Sequence, residues 1–206
     1  DDGESAGCAG ICGSVRGAQL MAGQDRLRWD QVYRDRQHEA YPAPDPLLFE
    51  FTPPVSDEAE HRALDLAAGI GQNGLWLSAQ GYLVDVMDIS RVALLRAQAE
   101  AARRQLRNIN LYPVDLDDTP LEANTYELIC VFRYLKRDLF PALRAAVRPG
   151  GRIIYETFNR RYQKLVPQFN PAFLLEPGEL SGYFADWKIL HNMESGHVSR
   201  LVAVKP

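Results

Sequence analysis

The chain has 206 residues, 46% of them hydrophobic, which is enough apolar material for one buried core and a single domain. A formal net charge of -4 gives no long-range pull toward polyanions, so no nucleic-acid partner is expected. No apolar run approaches the roughly 20 residues that span a bilayer, and no membrane association is expected.

Residues 1–23 are small and polar and lack the apolar centre of a signal peptide, so they are expected to form a disordered tail. Met21 is a candidate true start. Cys8 and Cys12 lie in that tail, and Cys130 lies in an apolar run. Neither these nor the four histidines show zinc-type spacing, so no metal is expected. Unpaired thiols fit a reducing, cytoplasmic compartment.

From residue 24 to the C terminus the pattern reads as one domain. Over 24–40, Leu27, Trp29, Val32 and Tyr33 form one helical stripe on a charged background, with too little apolar surface to fold alone. This helix must dock on the core or act as a lid over a ligand, with Trp29 and Tyr33 as the lid aromatics. Pro42, Pro44 and Pro46 interrupt it, and residues 46–51 suit a short helix begun by proline.

Residues 63–90 hold the most informative stretch, ALDLAAGIGQNGLWLSAQGYLVDVMDIS. A short apolar run is followed by Gly69, Gly71 and Gly74 in G-x-G-x-x-G spacing, a helical pattern to Gly81, and a second apolar run ending at Asp88. This is strand, glycine turn, helix, strand. Glycines let the backbone approach a ligand, and the helix start offers free N–H groups. The best-known reading of that spacing is a dinucleotide site, with the later acid on the ribose. Asp65 argues otherwise: a carboxylate ahead of the turn would repel a pyrophosphate but attract the ammonium and sulfonium of S-adenosylmethionine.

Ser90 is a plausible N-cap for a helix over 91–107. Strands are expected at 109–114 and 126–132, a helix at 135–147 stopped by Pro149, Gly150 and Gly151, and a strand at 152–158. Alternating strands and helices imply a parallel α/β sheet, with ligands at the carboxyl ends of its strands. That rule brings Asp65, Asp88, Asp115, Arg133, Tyr134 and Asn159 to one rim. Residues 159–176 are a long aromatic segment expected to cover the site on its substrate side. A short helix over 176–184 and a hairpin of strands 187–193 and 198–204 close the chain.

These residues resemble the Rossmann-like, class I S-adenosylmethionine-dependent methyltransferases. LDLAAGIG (64–71) is similar to that family's D-x-G-x-G-x-G loop, VMDIS (86–90) to its ribose-binding acid and VDL (114–116) to its adenine-binding acid. VRPGGRIIYETF (147–158) resembles its fifth strand, and the hairpin its reversed seventh strand. GQNGLWLSAQGYLVDVMDIS and LLEPGELSGYFADWKIL look most like the tellurite-resistance-type branch.

The resemblance implies a three-layer α/β sandwich with a mostly parallel seven-stranded sheet and an antiparallel last strand. It implies S-adenosyl-L-methionine as cofactor and S-adenosyl-L-homocysteine as product. By position, Asp65 would organise the methionine end, with Ala67, Gly69 and Gly71 giving backbone access. Asp88 would take the ribose hydroxyls, Asp115 and Leu116 the adenine, and Ile89 and Phe132 would supply apolar contact. Two residues depart from the pattern. Ala67 replaces the first loop glycine, which requires the turn there to keep a negative φ. Gln72 stands where the tellurite-type branch often has arginine.

Methyl transfer from a sulfonium needs chiefly alignment and desolvation, so no catalytic side chain is singled out. FRYL (132–135) lacks the N-P-P-Y type sequence that resembles enzymes acting on nucleic-acid amino groups, which favours a small-molecule acceptor. Arg133, Tyr134, Asn159 and Arg160 are the substrate-side candidates. With Arg161, the two arginines would suit an anionic, thiol or chalcogen acceptor. The alternatives are an NAD(P)-binding Rossmann oxidoreductase and a catalytically silent S-adenosylmethionine-binding module.

Overall fold

The computed structural model describes residues 23–56, 59–117 and 119–206. The expectations for residues 1–22, including Cys8, Cys12 and Met21, lie outside that range. Residues 23–35 form α1, followed by turns to residue 38. α2 (Pro46–Phe51) starts on the Asp45 side chain, which accepts the Leu47 N–H. Then come β1 (Arg62–Leu66), α3 (Gln72–Ala79), β2 (Leu83–Asp88), α4 (Arg91–Arg103), β3 (Ile109–Pro113), β4 (Tyr126–Phe132), α5 (Phe140–Ala146), β5 (Val147–Phe158), α6 (Glu179–Gly182), β6 (Lys188–Ser195) and β7 (Val198–Val204).

The strands form one seven-stranded sheet in the order β3-β2-β1-β4-β5-β7-β6. Strands β1 to β5 pair in parallel, and β7 enters antiparallel between β5 and β6. The order reverses between β1 and β4, the point at which open α/β sheets bind ligands. Helices cover both faces. Leu64, Leu66, Ile129, Val131, Ile153 and Tyr155 point toward α5 and α6. Ala63, Val84, Val86, Leu128, Cys130 and Ile154 point toward α2, α3 and α4. The strict alternation along each strand is the two-residue period of a sheet buried on both sides.

Four helix or strand boundaries differ from expectation, three of them for a local reason visible in the backbone. α4 stops at Arg103 because Gln105 turns into the left-handed region at φ +59°. The helix expected at 135–147 begins as a 3-10 turn (Arg137–Leu139) and becomes α-helical only at Phe140, with Pro141 in its first turn. β5 begins five residues early, because Val147 already pairs with Tyr126 ahead of the bulge that ends at Arg152. The helix expected at 176–184 shrinks to the single turn of α6.

Among the described residues, no helix is long and apolar enough to cross a membrane.

Candidate functional site

The glycine turn after β1 is tied to both strand-end acids. Asp65 is 1% exposed, and its carboxylate accepts the Gly74 N–H at 2.7 Å. It thus satisfies one of the free N–H groups in the first turn of α3, whose N-cap, Gly71, has no side chain to do so. Asp88, 7% exposed, accepts the Gly69 N–H at 2.7 Å on one oxygen and the Ser90 N–H at 2.8 Å on the other. Gly69 and Gly71 have φ of +57° and +72°, and a Cβ on Gly74 would stand 2.6 Å from Val86. The glycines therefore serve two needs: left-handed backbone in the turn and close seating of α3 on β1 and β2.

Ala67 corrects an expectation. Its φ is +54°, not negative, so an L-residue sits in the left-handed region at the head of the turn. The backbone holds it there: the Ala68 N–H donates to the Met87 carbonyl and the Gly71 N–H to the Ala68 carbonyl. Forcing alanine into this conformation costs on the order of 1 kcal/mol.

Burial raises the pKa of both acids. The Asp65 carboxyl is pushed up to about 7, chiefly by desolvation, against the Gly74 and Cys130 hydrogen bonds that pull it down. Asp88 is raised by the same cause, with the Ser90 and Gly69 N–H groups opposing it. Two carboxyls held in this state make a site that gains from a cationic ligand.

α1 closes over this turn. The Tyr33 hydroxyl rests against Gly69, 2.4 Å from where a Cβ would be, and Trp29 lies beside Tyr33 with ring centroids 6.2 Å apart. Asp30, 8% exposed, accepts the Ser90 hydroxyl at 2.7 Å and the Val92 N–H at 3.2 Å, pinning α1 to the start of α4. Tyr41 then donates to the Ile70 carbonyl, while the Arg96 guanidinium reaches the carbonyls of Arg36 and Glu39. None of these polar anchors was read from the sequence. Asp30 is one charge among many on an exposed-looking helix, and its partners lie 60 residues away.

Asp115 follows β3 and accepts the Asp117 N–H. The Val114 N–H donates to the Asp88 carbonyl, so the second and third strand ends are tied together. Leu116 is buried in the core beneath, Ile89 is half-buried after Asp88, and Phe132 is half-buried at the end of β4. Tyr134 falls on this side too. Burial, then the charges of Asp117, Asp115 and Asp88, raise its pKa.

Arg133 turns back through φ +59° and donates from Nε to Glu156 at 3.0 Å. Asn159 has a structural use: it is 2% exposed, its side chain accepts the Arg161 N–H, and it donates toward Ser199 and Gly196. Arg160 pairs with Glu176 at 2.6 Å. The segment after β5 is pinned at the rim by Tyr162 stacked on Phe158, with centroids 4.1 Å apart, and by Phe169 against both. A shallow cleft lined by Ala102, Gln105, Leu106 and Arg107 lies at the far end of α4, away from these groups.

Residues 63–151 match a family described as a methyltransferase domain. A curated relative, hemagglutinin 1 of Eikenella corrodens, is 31% identical over 149 residues, 68% of this chain and 48% of that protein. The chain thus spans about half the length of the curated relative it matches. TehB of Haemophilus influenzae superposes with a TM-score of 0.62 at 18% identity, over 72% of this chain and 59% of that one. An S-adenosylmethionine-dependent methyltransferase of Mesorhizobium loti superposes at 0.64 with 19% identity, over 78% of this chain and 96% of its own. Family match and fold agree on the class: residues 63–151 match a methyltransferase domain, and the described residues take the Rossmann-like methyltransferase fold.

Proposed function

We propose that the chain transfers the methyl group of S-adenosylmethionine to a small acceptor at the carboxyl ends of β1, β4 and β5. The observation that carries this reading is the pair of buried carboxyls, Asp65 and Asp88, bonded across one glycine turn to Gly74 and Gly69. A pyrophosphate on the turn would meet the Asp65 carboxylate, whereas a sulfonium and ammonium would relieve it; Asp88, as a ribose acid, suits either ligand. This disfavours the NAD(P) reading.

The residues present fit the donor. Each oxygen of Asp88 accepts one backbone N–H and keeps a lone pair for a ribose hydroxyl. Asp65 would bind the methionine end, and Ala67, Gly69 and Gly71 would expose backbone to it. Asp115, Leu116, Ile89 and Phe132 would surround the adenine, and Tyr134 joins them rather than the acceptor. Tyr33 and Trp29 would cover the donor and exclude water. The bound donor supplies an activated methyl group with a neutral leaving group. The chain's part is to align and dehydrate it.

Tellurite-type chemistry, and a thiol, chalcogen or other anionic acceptor, are finer parts of the same proposal. The likeness to TehB supports them only through the fold. Incubation with methyl-labelled S-adenosylmethionine and a panel of small thiols, carboxylates and chalcogen oxyanions tests it. Label in an acceptor, with S-adenosylhomocysteine formed in equal amount, is the expected result. Donor binding with no label transferred would instead make the chain a silent donor-binding module.

A further inference from the structure

One register step closer to the strand ends than the row Asp65, Cys130, Ile154 and Val202, the same sheet face carries Phe132, Glu156 and Arg200 side by side. Glu156 is 1% exposed at the side chain, and two guanidiniums share it. Arg133 donates from Nε to one oxygen at 3.0 Å, and Arg200 from Nε to the other at 2.6 Å. The Arg133 N–H also donates to the Glu156 carbonyl at 2.8 Å, so the left-handed turn at Arg133 folds its side chain back over β5. The guanidinium lies 5.4 Å from the Phe158 ring centroid.

Two cations on one carboxylate leave one net positive charge. Both Nε groups are committed, and among the described residues the terminal nitrogens of Arg133 and Arg200 make no hydrogen bond, while their side chains are 58% and 29% exposed. The Asp45 carboxylate also acts on this cluster and offsets part of that charge, while its own side chain accepts the Leu47 N–H at the start of α2. Terminal guanidinium nitrogens fixed from behind suit planar, bidentate recognition of a carboxylate.

We propose that Arg133 and Arg200, aimed by their shared Glu156, hold the carboxylate of a small organic acceptor beside the donor, with the Phe158 ring as its apolar neighbour. This rests on the methyl-transfer reading above. It adds Arg200, which the sequence did not single out, and narrows the acceptor to carboxylates with an apolar body.

Benzoate and its neutral isostere benzamide, titrated calorimetrically into the full chain loaded with S-adenosylhomocysteine, test the assignment. Benzoate is expected to bind at least tenfold more tightly than benzamide. Arg200→Gln and Arg133→Gln should each weaken benzoate about tenfold or more while leaving S-adenosylhomocysteine affinity within about twofold. Arg200→Lys keeps the charge but loses the fork, and should fall between wild type and Arg200→Gln; its melting temperature shows that the fold survives. Equal binding of the two probes, no benzoate binding, or benzoate affinity unchanged in both Gln variants would overturn the proposal. Failure of S-adenosylhomocysteine to bind at all would instead defeat the donor reading on which it rests.

Discussion

Asp65→Asn is expected to stabilise the donor-free protein at neutral pH while weakening its hold on the donor. The Asp65 carboxyl is fully buried, and burial raises its pKa from 3.8 to about 7. The folded state therefore keeps a proton that the unfolded chain has already released. Stability from this group is complete below pH ~4, declines as pH rises toward about 7, and is flat beyond that. A shift of this size corresponds to about 4 kcal/mol at most. In a chain this long, 1 kcal/mol moves the melting temperature by about 2–4 °C. Paired thermal melts without donor should show the variant gaining on wild type by several degrees between pH 4.5 and 7.5. With the cationic donor the sign reverses: ionised Asp65 is favoured, so wild-type affinity should rise with pH up to about 7, and that of the variant should not. Parallel stability curves for the two proteins across this range would refute the reasoning.

Other substitutions probe the turn and its cover. Ala67→Gly relieves the φ of +54° and should raise stability by about 1 kcal/mol in urea unfolding; a loss would mean that the alanine methyl makes a contact worth more than the strain. Gly69→Ala drives a Cβ against the Tyr33 hydroxyl and should destabilise by about 2 kcal/mol, and adding Tyr33→Phe should recover part of that loss. Strict additivity of the two substitutions would argue that Tyr33 is not seated on the turn. Asp30→Ala removes the acceptor for the Ser90 hydroxyl and the Val92 N–H, and should cost about 1–2 kcal/mol. It should also speed hydrogen exchange across residues 23–35, so unchanged exchange there would contradict the anchoring role.

The extent to which the sequence foretold the structure differs from place to place. Residues 126–132 and 198–204 are observed as strands with the expected bounds, the first because it is a nearly unbroken apolar run and the second because a hairpin turn precedes a mostly apolar, mostly buried run. Helix ends were less legible. Nothing in the composition of residues 103–107 marks Gln105 as the left-handed residue, and Val147 joins β5 only through its pairing with Tyr126. Asp65 and Asp88 were legible as strand-end acids flanking one glycine turn, to which both are hydrogen-bonded. Asn159 shares their place at a strand end, yet it serves the cover segment, a distinction made by partners from the hairpin that local pattern cannot supply. Asp30, Glu156 and Arg200 were missed for the same reason: their meaning lies in pairings across tens of residues.

The claim that the Asp65–Gly69–Asp88 turn holds S-adenosylmethionine is tested most directly by titration calorimetry of wild type and Asp88→Asn with S-adenosylmethionine and with NADH. Asp88 sets the turn through Gly69 and Ser90, so its loss should weaken the methyl donor by roughly 10- to 100-fold, the equivalent of a charged hydrogen bond or two. Wild type should bind one S-adenosylmethionine per chain and give no heat with NADH. Binding of NADH in place of the methyl donor, or S-adenosylmethionine affinity unchanged by Asp88→Asn, would contradict the account.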